Sequence, residues 1–339
     1  MDDIHKYGIS VIQTLQGHFK NESSHMTLIS HLSDPKNAFL IYFPVAFCLH
    51  QSVGKRVLLV AAVAEWLNAV FKWILHGERP YWWVYESGVY ESPPTLDQFD
   101  ITCETGPGSP SGHCMVTSSV IYILVSDFIF YMLFLKLIHF SVVLRCILWI
   151  VYGLVLVLVC LSRCFIAAHF PHQVIAGVIV GVVIGYIMNR ISTTELQLKH
   201  YLVLSLLMLL GGWGTFSIIQ NLGLDPFWSI TKAKRRCLNP DWIHLDSSLF
   251  FSIIRDATSL IGLGLGITFA KKSNSASLGV QAIQLATSLT LALGSEWIEL
   301  PKDPVMLFYG LSSVKIICIF FVIVSIIPRI FMNNNKKIK

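Results

Sequence analysis

The chain has 339 residues, of which 54% are hydrophobic and only 13% charged, with a mean hydropathy of +0.63 and a formal net charge of +5. Such a composition excludes an ordinary soluble globular protein and marks an integral membrane protein. No stretch is long enough for a separate soluble domain, and no nucleic-acid partner is expected.

Apolar runs long enough to cross ~30 Å of hydrocarbon as helix, about 20 residues each, recur at residues 27–50, 55–75, 113–134, 138–161, 169–189, 200–220, 249–270, 278–297 and 305–331. The expected fold is an all-α polytopic membrane protein with about nine transmembrane helices, one transmembrane domain over residues 1–339. Asp34 and Pro35 interrupt the first run, and the stretch 223–249 leaves room for a re-entrant piece. Nine spans put the termini on opposite sides. Lys55, Arg56, Lys136, Arg190, Lys199, Lys271, Lys272, Lys336, Lys337 and Lys339 then share one side, which the bias of Lys and Arg toward inside loops makes cytoplasmic. The N-terminus, the Gly77–Ser109 loop, the Ser162–Ala168 turn and the Leu222–Ser248 loop face the other way. Lys232, Lys234, Arg235 and Arg236 break the rule in that last loop, either as a solvated basic helix face or as a patch attracting an anionic substrate.

Met1-Asp2-Asp3 lacks the basic start of a cleaved signal peptide, so the first helix is expected to do the targeting. Asn21-Glu22-Ser23 is a glycosylation sequon on the far side. The closing Lys336-Lys337-Ile338-Lys339 reads as a dilysine retrieval signal of the endoplasmic reticulum, or as a plain cytoplasmic anchor. The expected location is the endoplasmic-reticulum membrane, with the far side its lumen. Six of the eight cysteines, Cys48, Cys114, Cys146, Cys160, Cys164 and Cys318, fall in or beside spans, where packing as small hydrophobes is the default. Cys103 and Cys237 fall in far-side loops, where a bridge is open to them but not required by their spacing.

Three strings carry chemistry: K-x6-R-P from Lys72, P-S-G-H at Pro110 to His113, and S-R-x5-H from Ser162 to His169. Phosphoryl transfer needs positive charge and donors aimed at the phosphoryl oxygens, an in-line nucleophile, and an acid behind the leaving oxygen. Lys72, Arg79 and Arg163 supply charge, Arg by bidentate contact and Lys as a compact point charge. Lys72 is costly at a membrane edge, which favours function over a snorkelling anchor. Ser111 stands near the cap of the next helix, and the amides of Gly112 and His113 lie at its N-terminus, where anions bind. His169 and His113 are the catalytic candidates, one as nucleophile and one as proton donor. Glu65 and Asn68, one turn above Lys72, orient it or make interhelical polar contacts. His169 and His172 lack the carboxylates or cysteines that would complete a metal site. Gly177, Gly181 and Gly185 suggest close helix packing within the chain.

The same three strings resemble the signature of the type 2 phosphatidic acid phosphatase (PAP2) and vanadium haloperoxidase superfamily. The strings E-W-L-N, F-K-W-I-L, R-P-Y-W-W-V, C-E-T-G-P-G-S-P-S-G-H and A-H-F-P-H-Q-V, with W-I-H-L-D at Trp242 and G-L-G-L-G at Gly262, are similar to the glucose-6-phosphatase catalytic subunits, essentially over the whole chain. E-S-G-x-Y at Glu86 and S-G-H-C-M at Ser111 look most like the ubiquitously expressed form of that family. The resemblance implies a PAP2-type helical catalytic core at about 55–190 with additional helices at about 200–331. It also implies lumenal hydrolysis of glucose 6-phosphate or a related sugar phosphate through a phosphohistidine, without metal or other cofactor. His169 would be the nucleophile, His113 the proton donor, and Lys72, Arg79, Ser111, Gly112 and Arg163 the phosphate cradle. Glucose-6-phosphate transporter coupling supplies the substrate in this picture. Four residues after the nucleophile the wider superfamily has Asp; here Gln173 stands in that place and is expected to hold the imidazole tautomer, as a supporting residue. Asp34 reads either as a second supporting group or as the cap of the helix starting at Pro35. Two alternatives stay open: a lipid phosphate phosphatase with the same residues, its site open to the bilayer and its substrate a membrane lipid, and a sugar-phosphate transporter subunit.

Overall fold

Helices alone make up the secondary structure of the residues described by this computed structural model, 1–134, 142–243, 248–270 and 277–334. Lys136, His244 to Asp246, Lys271, Lys272 and the terminal lysines Lys336, Lys337 and Lys339 lie outside the described residues.

Helix α1 (Asp2–His18) is amphipathic, with Asp2 and Asp3 in its first turn and His18 in its last, the polarity its dipole favours. Its buried face includes Ile9 and Ile12, and His5 stacks on Phe170 at 4.3 Å and edge-on to Trp83 at 4.9 Å. A 3-10 turn at Lys20–Glu22, with Asn21 exposed, leads into α2 (Ser23–Leu32). Here the expectation of a single helix over 27–50 is corrected. The chain breaks after Leu32, and Asp34 Oδ1 accepts the amide of Lys36 at 2.9 Å, so Asp34 does cap the next helix. Pro35 cannot donate to a continuous helix, and a short Asp side chain competes for nearby amides. Beyond this cap a π turn (Ala38–Tyr42) runs into α3 (Phe43–Leu49), and the two together make the shorter apolar helix Ala38–Leu49.

Helices α4 (Gln51–Leu75) and α5 (Pro80–Glu86) meet at His76, whose φ of 46° turns the chain. Then come α6 (Gly112–Phe134), α7 (Val142–Phe165), α8 (Pro171–Met188), α9 (Leu198–Asn221), α10 (Trp228–Arg236), α11 (Leu249–Phe269), α12 (Leu278–Gly294), α13 (Val305–Phe321) and α14 (Ile327–Asn334). Among the described residues eight helices are long and apolar enough to span a membrane, α4 with α5 and α13 through α14 each forming one. The shorter Ala38–Leu49 falls below that length, so eight candidate spans stand where about nine were expected. Ser30 and Asp34 before it line a cavity with Lys72 and His113, whereas Arg56 just after it bonds Asp127 at 2.5 Å and Asn189 at 3.2 Å, at the far ends of α6 and α8.

Helices α6 and α8 approach through the glycines spaced four apart. A Cβ at Gly177 would stand 2.6 Å from the Ser111 carbonyl, and one at Gly185 would stand 2.9 Å from Tyr122 Cβ. The packing is within the chain, and it sets the start of α6 against the start of α8. On the cavity side Lys232 pairs with Glu78 at 2.6 Å, and Arg235 and Arg236 pair with Glu86 at 3.3 and 3.1 Å. Three of the four basic side chains are therefore ion-paired to α5 and the residues just before it, and are not a free anion-attracting patch. Cys103 and Cys237 form a disulfide with Cα atoms 5.7 Å apart, tying the loop before α6 to the end of α10.

Candidate active site

The three strings converge at one end of the bundle. Lys72 comes from the last turn of α4, and Arg79 stands immediately before α5, where Pro80 takes the first helical position. Ser111 accepts the amide of Met115 at 3.0 Å on its carbonyl, the first bond of α6, which leaves the amides of Gly112 and His113 unspent by the helix. Ser111 is fully buried and its hydroxyl has no nitrogen or oxygen partner. Arg163 ends α7, and a turn with Ala167 at φ 54° then delivers His169 just ahead of α8. A left-handed alanine costs about 1–2 kcal/mol, the sort of strain that functional turns hold.

Arg79, Arg163 and His169 are all 0% exposed, and Lys72 is 7% exposed. Arg79 is locked by five contacts: Nε donates to Gly106 O at 2.7 Å, Nη1 to Ala168 O at 3.0 Å and to His169 Nε2 at 3.3 Å, and Nη2 to Glu104 Oε2 at 2.8 Å and to Pro107 O at 3.2 Å. Arg163 donates to Ser30 Oγ at 3.0 Å and to Glu104 Oε1. The His169 tautomer is set by its partners. Nδ1 lies 2.8 Å from the Gly108 carbonyl, which can only accept, so Nδ1 carries the proton and Nε2 keeps its lone pair toward the cations. Burial first, and then the Arg79 guanidinium, hold this imidazole well below its ordinary value, so it is neutral near pH 7.

Gln173 does not play the part expected of it. Its Oε1 accepts the amide of Phe170 at 3.1 Å, its Nε2 donates to Glu78 O at 2.7 Å, and its carbonyl takes the amide of Ser111. The side chain clamps the start of α8 to the loops around it, and a backbone carbonyl holds the tautomer instead. Gly108 is the residue that permits this, since a Cβ there would stand 2.9 Å from Gln173 Oε1. His172 turns away, stacking on Phe170 and on His5 at 5.5 Å.

Profile comparison matches residues 54–196 to the PAP2 superfamily. Human glucose-6-phosphatase 2 is 38% identical over 341 residues, covering 97% of this chain and 96% of the relative. The bovine glucose-6-phosphatase catalytic subunit 1 is 36% identical, with 97% and 95% covered, and that of Haplochromis nubilus is 36% identical with 97% and 96% covered. The chain belongs to the glucose-6-phosphatase family. No solved structure matches it.

One residue of this glucose-6-phosphatase site escaped the sequence reading. Glu104 bonds Arg79 and Arg163, lies 3.9 Å from Lys72 Nζ and 4.0 Å from His169 Nε2, and its Oε1 faces His113 Nδ1 at 3.5 Å. A single carboxylate thus reaches every charged or imidazole group of the cradle. Burial pushes its carboxyl up, but the guanidiniums of Arg79 and Arg163, then His113 and Lys72, outweigh that and hold it well below the usual carboxylate range. Its place directly after Cys103 in C-E-T-G-P-G was the available signal. Glu65, by contrast, pairs with Arg255 of α11, and Asn68 donates to Pro110 O at 3.0 Å, so both make interhelical contacts and neither orients Lys72 directly. Asp34 caps its helix and also lines the cavity that opens on the cradle.

Proposed function

We propose that the chain hydrolyses glucose 6-phosphate, or a closely related sugar phosphate, at a lumenal site of the endoplasmic-reticulum membrane through a phosphohistidine. The observation that carries this is the Nε2 lone pair of His169, fixed by the Gly108 carbonyl and set among Arg79, Arg163, Lys72 and His113. In the first step Nε2 attacks phosphorus, the P–N bond forms, and the P–O bond to the sugar breaks. Arg79, Arg163, Lys72, the Ser111 hydroxyl and the amides of Gly112 and His113 meet the phosphoryl oxygens as charge shifts onto them. His113, entering this step as its imidazolium with Nδ1 facing the Glu104 carboxylate, gives its Nε2 proton to the departing sugar oxygen. In the second step His113 takes a proton from water, the water oxygen attacks phosphorus, and the P–N bond breaks to return neutral His169 and inorganic phosphate. Every atom of the cycle is supplied by substrate, water and side chains of this chain.

Three features support the lumenal placement: the disulfide on the cavity side suits an oxidising compartment, Asn21 is exposed on that same side, and Arg56 and Arg190 lie toward the opposite end. A lumenal site requires that the sugar phosphate be carried in, so a glucose-6-phosphate transporter is the functional partner of this proposal. The test is His169→Ala in purified protein, which abolishes both turnover and labelling by radioactive phosphate. Full turnover in that variant rules the mechanism out, and hydrolysis of a phosphatidic acid in preference to the sugar phosphate rules out the substrate class.

A further inference from the structure

The cavity that opens on the cradle holds about 280 Å³, at the small end of small-molecule sites. Only one end of it serves the phosphoryl group, where Lys72, Glu104, Gly112 and His113 line the wall. The cavity is also lined by Glu65, Ser252 and Arg255, and phosphoryl transfer uses none of these. Glu65, Asn68 and Lys72 fall at i, i+3 and i+7 on one face of α4. At 1.5 Å per residue the Glu65 backbone stands ~10 Å along the helix axis from that of Lys72.

Glu65 is 7% exposed, Oε1 accepts from Arg255 Nη2, and Oε2 is turned into the protein. Arg255 is itself held in place, its guanidinium 5.0 Å from the Phe39 ring and its Nε 3.7 Å from Asp256 Oδ1. A buried ion pair is a poor stabiliser, and inside a spanning helix pair it is an expensive one. Side by side, a carboxylate and a guanidinium offer an acceptor and donors to neighbouring hydroxyls. A vicinal diol matches that arrangement, since one hydroxyl donates to the carboxylate while its neighbour accepts from the guanidinium.

We propose that the Glu65–Arg255 pair is the hydroxyl-recognition subsite for the end of the sugar remote from its phosphate, and so sets preference for a polyol phosphate over other phosphomonoesters. The proposal rests on the sugar-phosphatase reading above. A polyol reaching from cradle to pair fills the cavity lengthwise, its hydroxyls meeting the pair where Glu65 and Arg255 line the wall. A phosphomonoester without hydroxyls brings nothing to bond the pair and takes water from it at that end, which is the penalty that rejects it.

The experiment compares kcat/KM for glucose 6-phosphate with that for p-nitrophenyl phosphate in wild type, Glu65→Gln and Arg255→Lys. Wild type favours the sugar phosphate, and each variant loses at least ten-fold more on the sugar phosphate than on the nitrophenyl ester. Inhibition by inorganic phosphate, which lacks hydroxyls, reports an intact cradle in each variant. A series of mono-deoxy glucose 6-phosphates on wild type then shows the same ten-fold loss for the two hydroxyls that meet the pair, and Glu65→Gln is insensitive to their removal. Equal losses on both substrates in both variants, or a deoxy penalty that persists in Glu65→Gln, overturns the subsite. Equal kcat/KM for the two substrates in wild type is a different failure, because it removes the sugar-phosphatase reading itself.

Discussion

Replacing Glu104 by Gln probes the electrostatics of the whole site. The carboxylate lies within 4.0 Å of Arg79, Arg163, Lys72, His113 and His169, the same groups that phosphoryl oxygens require. At an effective dielectric near 20, a pair about 4 Å apart such as Glu104–Lys72 is worth ~4 kcal/mol before desolvation is counted. Removing one partner from a buried pair costs about 3–5 kcal/mol, since the cations left behind repel one another. The anion-free variant should therefore melt on the order of 5–10 °C below wild type. Vanadate or phosphate replaces the missing charge and no longer competes with a resident carboxylate, so the variant should bind vanadate at least ten-fold more tightly, a gain of ~1.4 kcal/mol. The assay is thermal melting by tryptophan fluorescence across a vanadate titration. Acid behaviour obeys the same logic. The folded carboxyl is depressed, so its stabilisation is complete above the ordinary carboxylate pKa of ~4.3 and is lost as pH falls below that toward the folded value. Wild type alone should show this loss. Weaker vanadate binding in Glu104→Gln than in wild type refutes the reasoning, and would mean that the carboxylate holds the guanidiniums in place beside a bound anion.

Other outcomes rest on single features. Because His169 is depressed well below ~6.5 in the free site, its acid limb in phosphoenzyme formation at substrate far below saturation should lie below that pH, and a His169 midpoint at or above 6.5 in rapid-quench measurements contradicts a neutral nucleophile. Reducing the Cys103–Cys237 bridge frees a separation of 134 residues, for which loop-closure entropy gives up to about 5 kcal/mol, so dithiothreitol should lower the melting temperature and an unchanged melt counts against the bridge. Gly181→Ala places a Cβ against the Met115 carbonyl and Ser118 Oγ, and should cost about 1–3 kcal/mol of stability while kcat per folded molecule stays within about two-fold. Gln173→Leu should destabilise by roughly 1–3 kcal/mol through the unpaired Glu78 carbonyl and Phe170 amide, yet leave the pH profile of phosphoenzyme formation in place, since Gly108 sets the tautomer.

Much of this was legible in the residues themselves. Spans are read from apolar length, because a bilayer demands ~20 residues of helix whatever surrounds them. The histidines, arginines and Lys72 announce phosphoryl chemistry by type and spacing, and the glycines at 177, 181 and 185 announce close packing by their period. Four things were decided only when distant segments came together. Gly108 holds His169 with a main-chain carbonyl, a group every residue possesses and no side chain identifies. Glu104 joins the cradle because the loop before α6 folds back over Arg79 and Arg163, 25 and 59 residues away along the chain. Glu65 meets Arg255 across 190 residues, and Cys103 meets Cys237 across 134. Residue identity states what a side chain is able to do, whereas the partner that makes it do so is chosen by helix packing, where two groups become neighbours for reasons carried by the apolar residues around them.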